Sequence, residues 1–218
     1  MMQLIYFDAR GVAEVARCML KIAGVPFDDH RLSMTKKDGG GWDAPEFAAL
    51  KLSGDASANM DRVPILIVDG VTIGQSKAIE RFVAKRCNML GDNDIEAAQI
   101  DCITEHLRDI KDKYQKIKSA PESEKVAKLE EFFAVAFPAL LVQLDKSLPS
   151  TRSEGFSVGN ATSYADVAIN NFLTEYFDDK APVVAALTNC AGLSSIVTHV
   201  SNLPGLKSWL AERPSNPF

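Results

Sequence analysis

Val63-Pro64-Ile65-Leu66-Ile67-Val68, then Asp69-Gly70, then Val71-Thr72-Ile73 is the stretch on which the reading of the fold turns. Two apolar, β-branched runs joined by Asp-Gly predict an antiparallel hairpin, because the two-residue turn requires left-handed residues and Asp-Gly accepts that conformation. A helix is predicted next, from Gln75 to about Lys85. Upstream, the apolar run Gln3 to Phe7 meets the turn-like Asp8 to Gly11, and Val12, Val15, Ala16, Met19, Leu20 and Ala23 follow at helical spacing. Gly24 suits a helix C-terminus and Pro26 stops continuation, so Val25 to Leu32 predicts a second strand. Polar, Gly-rich stretches from Ser33 to Gly41 and Ser53 to Asp61 flank a short helix predicted over Pro45 to Leu52. Residues 1–86 therefore read βαβ and then ββα, with helices over a small mixed sheet.

Cys87 to Asp94 reads as a linker, and 95–218 as an all-helical domain with no strand signal. Helices are predicted over Ile95 to Lys118, Glu122 to Leu148 with a kink at Pro138, and Ser163 to Phe177. Ser163-Tyr164-Ala165-Asp166 has the form of a capping box and fixes the last of these starts. The charge run Arg108 to Lys118 is read as a solvated helix face. The fold class is thus α/β plus all-α.

Composition narrows the function. The chain has 218 residues, 46% apolar, enough for a core without disulfide or metal staples. With 24 basic and 29 acidic residues the net charge is −5, which disfavours nucleic acid and anionic membranes as partners. The longest apolar run, Phe132 to Val142, contains Pro138 and falls short of the roughly 18 to 20 residues a membrane span requires. The N-terminus lacks signal-peptide form, which implies a cytoplasmic protein. Cys18, Cys87, Cys102 and Cys190 show no close pairing, and with His30, His106 and His199 they draw no metal spacing. The expectation is reduced cysteines and no metal. The sequon Asn160-Ala161-Thr162 is read as an approach to a helix.

Three features converge on one corner of the first domain. Tyr6 ends the opening strand, where ligands of open α/β sheets bind and the next helix presents its N-terminus. Val63-Pro64 opens a strand at a place suited to a cis bond, leaving the Val63 backbone for an extended peptide. Gln75-Ser76 starts a helix, where backbone N–H groups and a hydroxyl suit a carboxylate. Each alone is as well explained by packing, an edge or a cap; together they describe a peptide site.

These residues also carry a family resemblance. Tyr6-Phe7-Asp8-Ala9-Arg10-Gly11 with Ala13-Glu14 and Arg17, Ala23-Gly24-Val25, Val63-Pro64-Ile65-Leu66, Asp69-Gly70, and Gln75-Ser76-Lys77-Ala78-Ile79 with Arg81-Phe82 resemble the cytosolic glutathione S-transferases, as do Gly159-Asn160, Ser163, Ala165, Asp166 and Pro138 in the second half. The resemblance implies a thioredoxin-like N-terminal domain, an all-α C-terminal domain, a homodimer, and a tyrosine-type enzyme of sigma- or mu-like class. It implies glutathione as co-substrate and a small hydrophobic electrophile bound in an apolar pocket between the domains, with no other cofactor. A free thiol has a pKa of about 8.5, and each unit of depression requires about 1.4 kcal/mol of preference for the anion. Tyr6 is the implied donor to the sulfur, with Phe7 packing behind it. Val63 would pair with the cysteinyl backbone, and Gln75 and Ser76 would hold the γ-glutamyl carboxylate. Trp42 resembles the tryptophan at the glycyl end, and Lys51 or Arg62 would meet the glycyl carboxylate. Glu105 and Asp109, four apart on the first long helix, are candidates for the acidic residue that relatives lend across the dimer.

Two departures stand out. Arg10-Gly11 is followed by Val12 where alpha, pi and sigma relatives place a second, thiolate-supporting arginine, and the span from Trp42 to Pro64 is longer than in sigma or mu members. Glutathione conjugation is therefore read beside two alternatives, a glutathione-dependent isomerase of the prostaglandin D synthase kind and a catalytically weak binding or structural relative. Arg108, Lys111, Tyr114, Tyr176 and Phe218 stand as unassigned candidates for the electrophile pocket.

Overall fold

The computed structural model describes residues 1–216, and their backbone contacts divide into two compact units. The first contains β1 (Met2–Phe7), β2 (Asp28–Leu32), the short β3 (Thr35–Lys36) and β4 (Trp42–Asp43), β5 (Ile65–Val68) and β6 (Val71–Gly74). Four of these form a sheet in the order β2-β1-β5-β6, and β3 pairs with β4 separately. β1 and β2 are parallel, with Tyr6 opposite Arg31, and are joined by the crossover helix α1 (Glu14–Ile22) that a parallel pair demands. β5 lies antiparallel to β1, with Ile5 opposite Ile65, and turns into β6 through Asp69 and Gly70. Both turn residues are left-handed, with φ of 51° and 83°, as the hairpin reading requires. α2 (Pro45–Ser53) and α3 (Ser76–Arg86) complete the thioredoxin-like arrangement. Ile5, Leu32 and Ile65 form a core on which Phe7, Phe47, Leu50, Val63 and Ile67 pack. The second strand begins three residues later than expected because Pro26 lies outside the ladder, and the pair β3–β4 falls in a stretch read as irregular.

The second unit, Asn88–Leu203, is helical: α4 (Asp94–Lys118), α5 (Glu122–Glu131), α6 (Phe137–Ser147), α7 (Tyr164–Glu175), α8 (Ala181–Leu187) and α9 (Ala191–Ser201). The helix expected over 122–148 is not one kinked rod. A π-helical turn, Phe132–Ala136, separates α5 from α6, and Pro138 stands in the first turn of α6, where its missing N–H costs no helical bond. Phe137, Phe172, Phe177 and Tyr114 meet edge to face at the centre of this unit, with Tyr114 and Phe137 each 5.0 Å from Phe177 between ring centroids. No helix among the described residues is long and apolar enough to cross a membrane.

α10 (Pro204–Glu212) groups with the first unit, where the sequence reading puts it in the helical domain. The reason is specific. Trp209 Nε1 and Arg213 Nη1 each donate to Glu14 Oε1 of α1 at 2.9 Å. A Cβ on Gly205 would come within 2.5 Å of the Lys21 carbonyl, so only glycine admits this approach.

The capping box at α7 is present with both reciprocal bonds. Asp166 accepts from the Ser163 N–H at 2.7 Å, from its hydroxyl at 2.9 Å, and from the Ser157 N–H at 2.6 Å. Asp166→Ala would leave these buried donors unpaired. It is expected to cost on the order of 2–4 kcal/mol, against about 1 kcal/mol for Ser163→Ala, both read by denaturant unfolding.

Candidate functional site

Tyr6 is the penultimate residue of β1, and its hydroxyl accepts the backbone N–H of Val12 from the single helical turn Gly11–Ala13 before α1. Gly11 has φ of +44°, and a Cβ there would stand 2.6 Å from the Tyr6 hydroxyl oxygen. The Arg10-Gly11-Val12 sequence thus permits the turn to close on the phenol. Burial raises the Tyr6 pKa above its usual 10, with the Val12 bond and the Arg17 charge opposing. The phenol accordingly keeps its proton at neutral pH. Phe7 packs edge-on to Tyr6 at 5.6 Å, and Phe47 on Phe7 at 5.1 Å.

The Val12 side chain points away, 53% exposed; its contribution is the backbone N–H. The cation beside the phenol is Arg17, its guanidinium carbon 5.8 Å from the ring centroid and its side chain fully buried. Nε donates to Asp29 at 2.8 Å, and Nη1 donates to the Ala9 carbonyl at 2.7 Å, to the Arg10 carbonyl at 3.3 Å and to Glu14 at 3.4 Å. The sequence reading noted Arg17 only within a motif. Its signal is an i,i+3 pair with Glu14 on a helix whose other residues up to Leu20 are apolar.

The Val63–Pro64 bond is cis. Both β5 pairings begin at Ile65, so Val63 stands half-buried just beyond the ladder. α3 begins at Ser76, and Gln75 precedes it with φ of 65° and no side-chain capping bond. These two segments are joined by a residue that sequence reasoning missed. Asn59, 4% exposed, donates to the carbonyls of Arg62 at 3.0 Å and Pro64 at 2.9 Å, and its Oδ1 accepts the Gln75 N–H at 3.0 Å. Its sequence setting, a polar stretch read as loop, carried no periodic signal that would have singled it out.

The remaining expected residues are more scattered. Trp42 is 51% exposed on β4, its backbone opposite Lys36. Lys51 Nζ rests 4.8 Å from the Phe47 ring centroid, which connects it through Phe47 and Phe7 to Tyr6. Arg62 is exposed and its Nε donates to the Asn59 carbonyl at 3.3 Å. On α4 of the second unit, Glu105 pairs with Arg108 at 2.6 Å and Asp109 is exposed. Lys111 Nζ lies 5.0 Å from the Tyr176 ring centroid, and Tyr114 is buried among the aromatic rings. Phe218 lies outside the described residues. Among the described residues no group of His, Cys, Asp and Glu is placed to hold a metal.

The first unit thus carries a buried phenol near the end of β1, an unladdered backbone edge before a cis-proline, and a helix start braced to that edge through Asn59. Residues 2–85 match the family model described as "Glutathione S-transferase, N-terminal domain", and 108–213 match "Glutathione S-transferase, C-terminal domain". Glutathione S-transferase 1 of Ascaris suum is 30% identical over 220 residues, 99% of this chain and 98% of its own length. Glutathione S-transferase 3 of Caenorhabditis elegans is 31% identical with the same coverage of both chains. The crystal structure of the glutathione S-transferase from Ascaris lumbricoides superposes with a TM-score of 0.78 at 28% identity, covering 100% of each chain. The chain belongs to the glutathione S-transferase family of enzymes.

Two measurements test this geometry. Gly11→Ala is expected to push the Tyr6 hydroxyl from its place, lowering any thiol-transferase turnover by about tenfold or more with a loss of stability. Burial pushes the Cys87 thiol at the end of α3 up to about 11. Iodoacetamide at pH 8 should therefore modify the exposed Cys102 and spare Cys87, whose alkylation rises only as pH approaches about 11, as peptide mass mapping would show.

Proposed function

We propose that this chain binds glutathione with its cysteinyl backbone along Val63 and its γ-glutamyl carboxylate at Gln75 and Ser76, and that the Tyr6 hydroxyl holds the sulfur as a thiolate. Trp42 with Lys51 or Arg62 serves the glycyl end. The working form is a cytoplasmic homodimer, with Glu105 or Asp109 as the acidic group lent by a second copy. The observation that carries the reading is the Tyr6 phenol, positioned by the Val12 N–H and kept protonated by burial. Such a phenol donates its O–H to the thiolate and stabilises the anion without itself ionising. The thiol proton leaves to solvent. The thiolate then supplies the electron pair for a new S–C bond to a small apolar electrophile, whose leaving group departs with its own pair.

The test is titration of thiolate absorbance for glutathione bound to the protein. The bound thiol is expected to ionise about one unit or more below its free value of about 8.5. In Tyr6→Phe the titration should return towards that value, and conjugation of a chlorinated nitrobenzene should fall about tenfold or more. A bound thiol that titrates as in water in the unaltered protein would overturn the assignment of Tyr6.

A further inference from the structure

Asn59 uses every hydrogen-bonding group of its side chain on two separate segments. Both Nδ2 protons are given to the carbonyls of Arg62 and Pro64, which flank Val63, and Oδ1 takes the N–H of Gln75, which opens α3. The partners fix the amide orientation, because the reverse would set Oδ1 against two carbonyls. Asn59 is itself held in the turn Ser57–Asn59: its N–H donates to the Ala56 carbonyl at 2.9 Å, and its carbonyl accepts the Arg62 N–H at 3.2 Å. The fit is close. A Cβ on Gly74 would come within 2.6 Å of the Asn59 Cβ, so the glycine before Gln75 lets the carboxamide reach both partners. Aspartate keeps the shape and one acceptor but loses both donors; serine and leucine span neither gap.

We propose that Asn59 is the positioning residue that locks the Val63 edge and the N-terminus of α3 into one rigid glutathione-binding unit. It sets glutathione affinity and the preference for a γ-glutamyl peptide, and leaves sulfur ionisation to Tyr6. None of its bonds touches Tyr6 or the turn Gly11–Ala13. The inference rests on the glutathione reading above.

The experiment compares the unaltered protein with Asn59→Asp by calorimetric titration and steady-state kinetics with a chlorinated nitrobenzene. Asn59→Asp is expected to raise Kd and KM for glutathione about tenfold or more, because two buried carbonyls lose their donor. At saturating glutathione, kcat should stay within about twofold and the pKa of the bound thiol should not move. Cysteinylglycine keeps the cysteinyl backbone that pairs at Val63 but lacks the γ-glutamyl carboxylate, so its affinity should also fall, by a smaller factor than that of glutathione. Unchanged glutathione affinity in the folded variant overturns the proposal, as does a fall in kcat with a raised thiol pKa at unaltered affinity. If the variant does not fold, titration of the unaltered protein followed by nuclear magnetic resonance decides. The Asn59 side-chain amide and the Gln75 backbone amide should shift together on one saturation curve, and stationary Asn59 signals overturn the proposal. Absence of glutathione binding by the unaltered protein overturns the proposed function and this inference together. Binding that Asn59→Asp leaves intact overturns this inference alone.

Discussion

The first unit is organised around one buried positive charge. Arg17 has no exposed surface, and moving such an ion out of water costs several kcal/mol even after relaxation. That cost is offset only if its surroundings are fixed around it, and they come from the loop after β1, from β2 and from α1, with Nη2 left without a partner among the described residues. Ala9 and Arg10 bring carbonyls from the loop after β1, Asp29 a carboxylate from β2, and Glu14 another from α1 itself. Asp29 also accepts from Arg31 at 2.8 Å, and Glu14 from Trp209 and Arg213 beyond the second unit in sequence. One guanidinium therefore ties the strand end, the crossover helix and the C-terminal helix to the turn that carries Gly11 and Val12.

That anchoring bears on the role proposed for Tyr6. A phenol that ionised near neutrality would repel a thiolate; a phenol free to rotate would lose the directional advantage of its hydrogen bond. Burial addresses the first requirement by raising its pKa, and the Val12 N–H addresses the second by fixing the oxygen. The Arg17 charge pulls the pKa the other way, but burial outweighs it. The same charge favours negative density near the ring. A valine at position 12 is compatible with this arrangement because the turn uses the backbone of that residue.

What could be read in the sequence follows from the range of each signal. The Asp69-Gly70 hairpin, the strand feeding α1 and the Ser163-Asp166 box are all encoded within a few residues, and periodicity or turn chemistry exposes them. The places of Tyr6, Val63 and Gln75 in the fold are legible for a related reason: each sits near the end of an element, where backbone groups leave the ladder or the helix. Asn59 and Arg17 act across 16 and 12 residues, on Gln75 and Asp29, and their meaning exists only once the strands are paired. The break before Pro138 shows the same limit. A proline predicts that a helical bond is missing, but whether the chain kinks or inserts a wide turn depends on the aromatic rings packed at Phe132 and Phe137.

The helix starts of the molecule meet one chemical need in different ways. Every α-helix begins with N–H groups that need acceptors and with a partial positive charge. α4 receives Asn93, which accepts from Ile95 and Glu96; α7 receives Ser163 and Asp166; α9 receives Asp145, which accepts from Leu193 at 2.7 Å. At α3 the N-cap residue Gln75 makes no capping bond with its side chain, and Asn59 instead takes the N–H of Gln75 itself, one residue outside the helix. A left-handed residue at this point, with φ of 65°, is costly for any side chain but glycine, and it persists because Asn59 and the first helical bond, Ile79 N–H to the Gln75 carbonyl at 2.9 Å, hold it from both sides. The chain thus maintains a strained, internally braced helix start without an acidic cap of its own. A ligand carboxylate is the group whose charge such an end stabilises most.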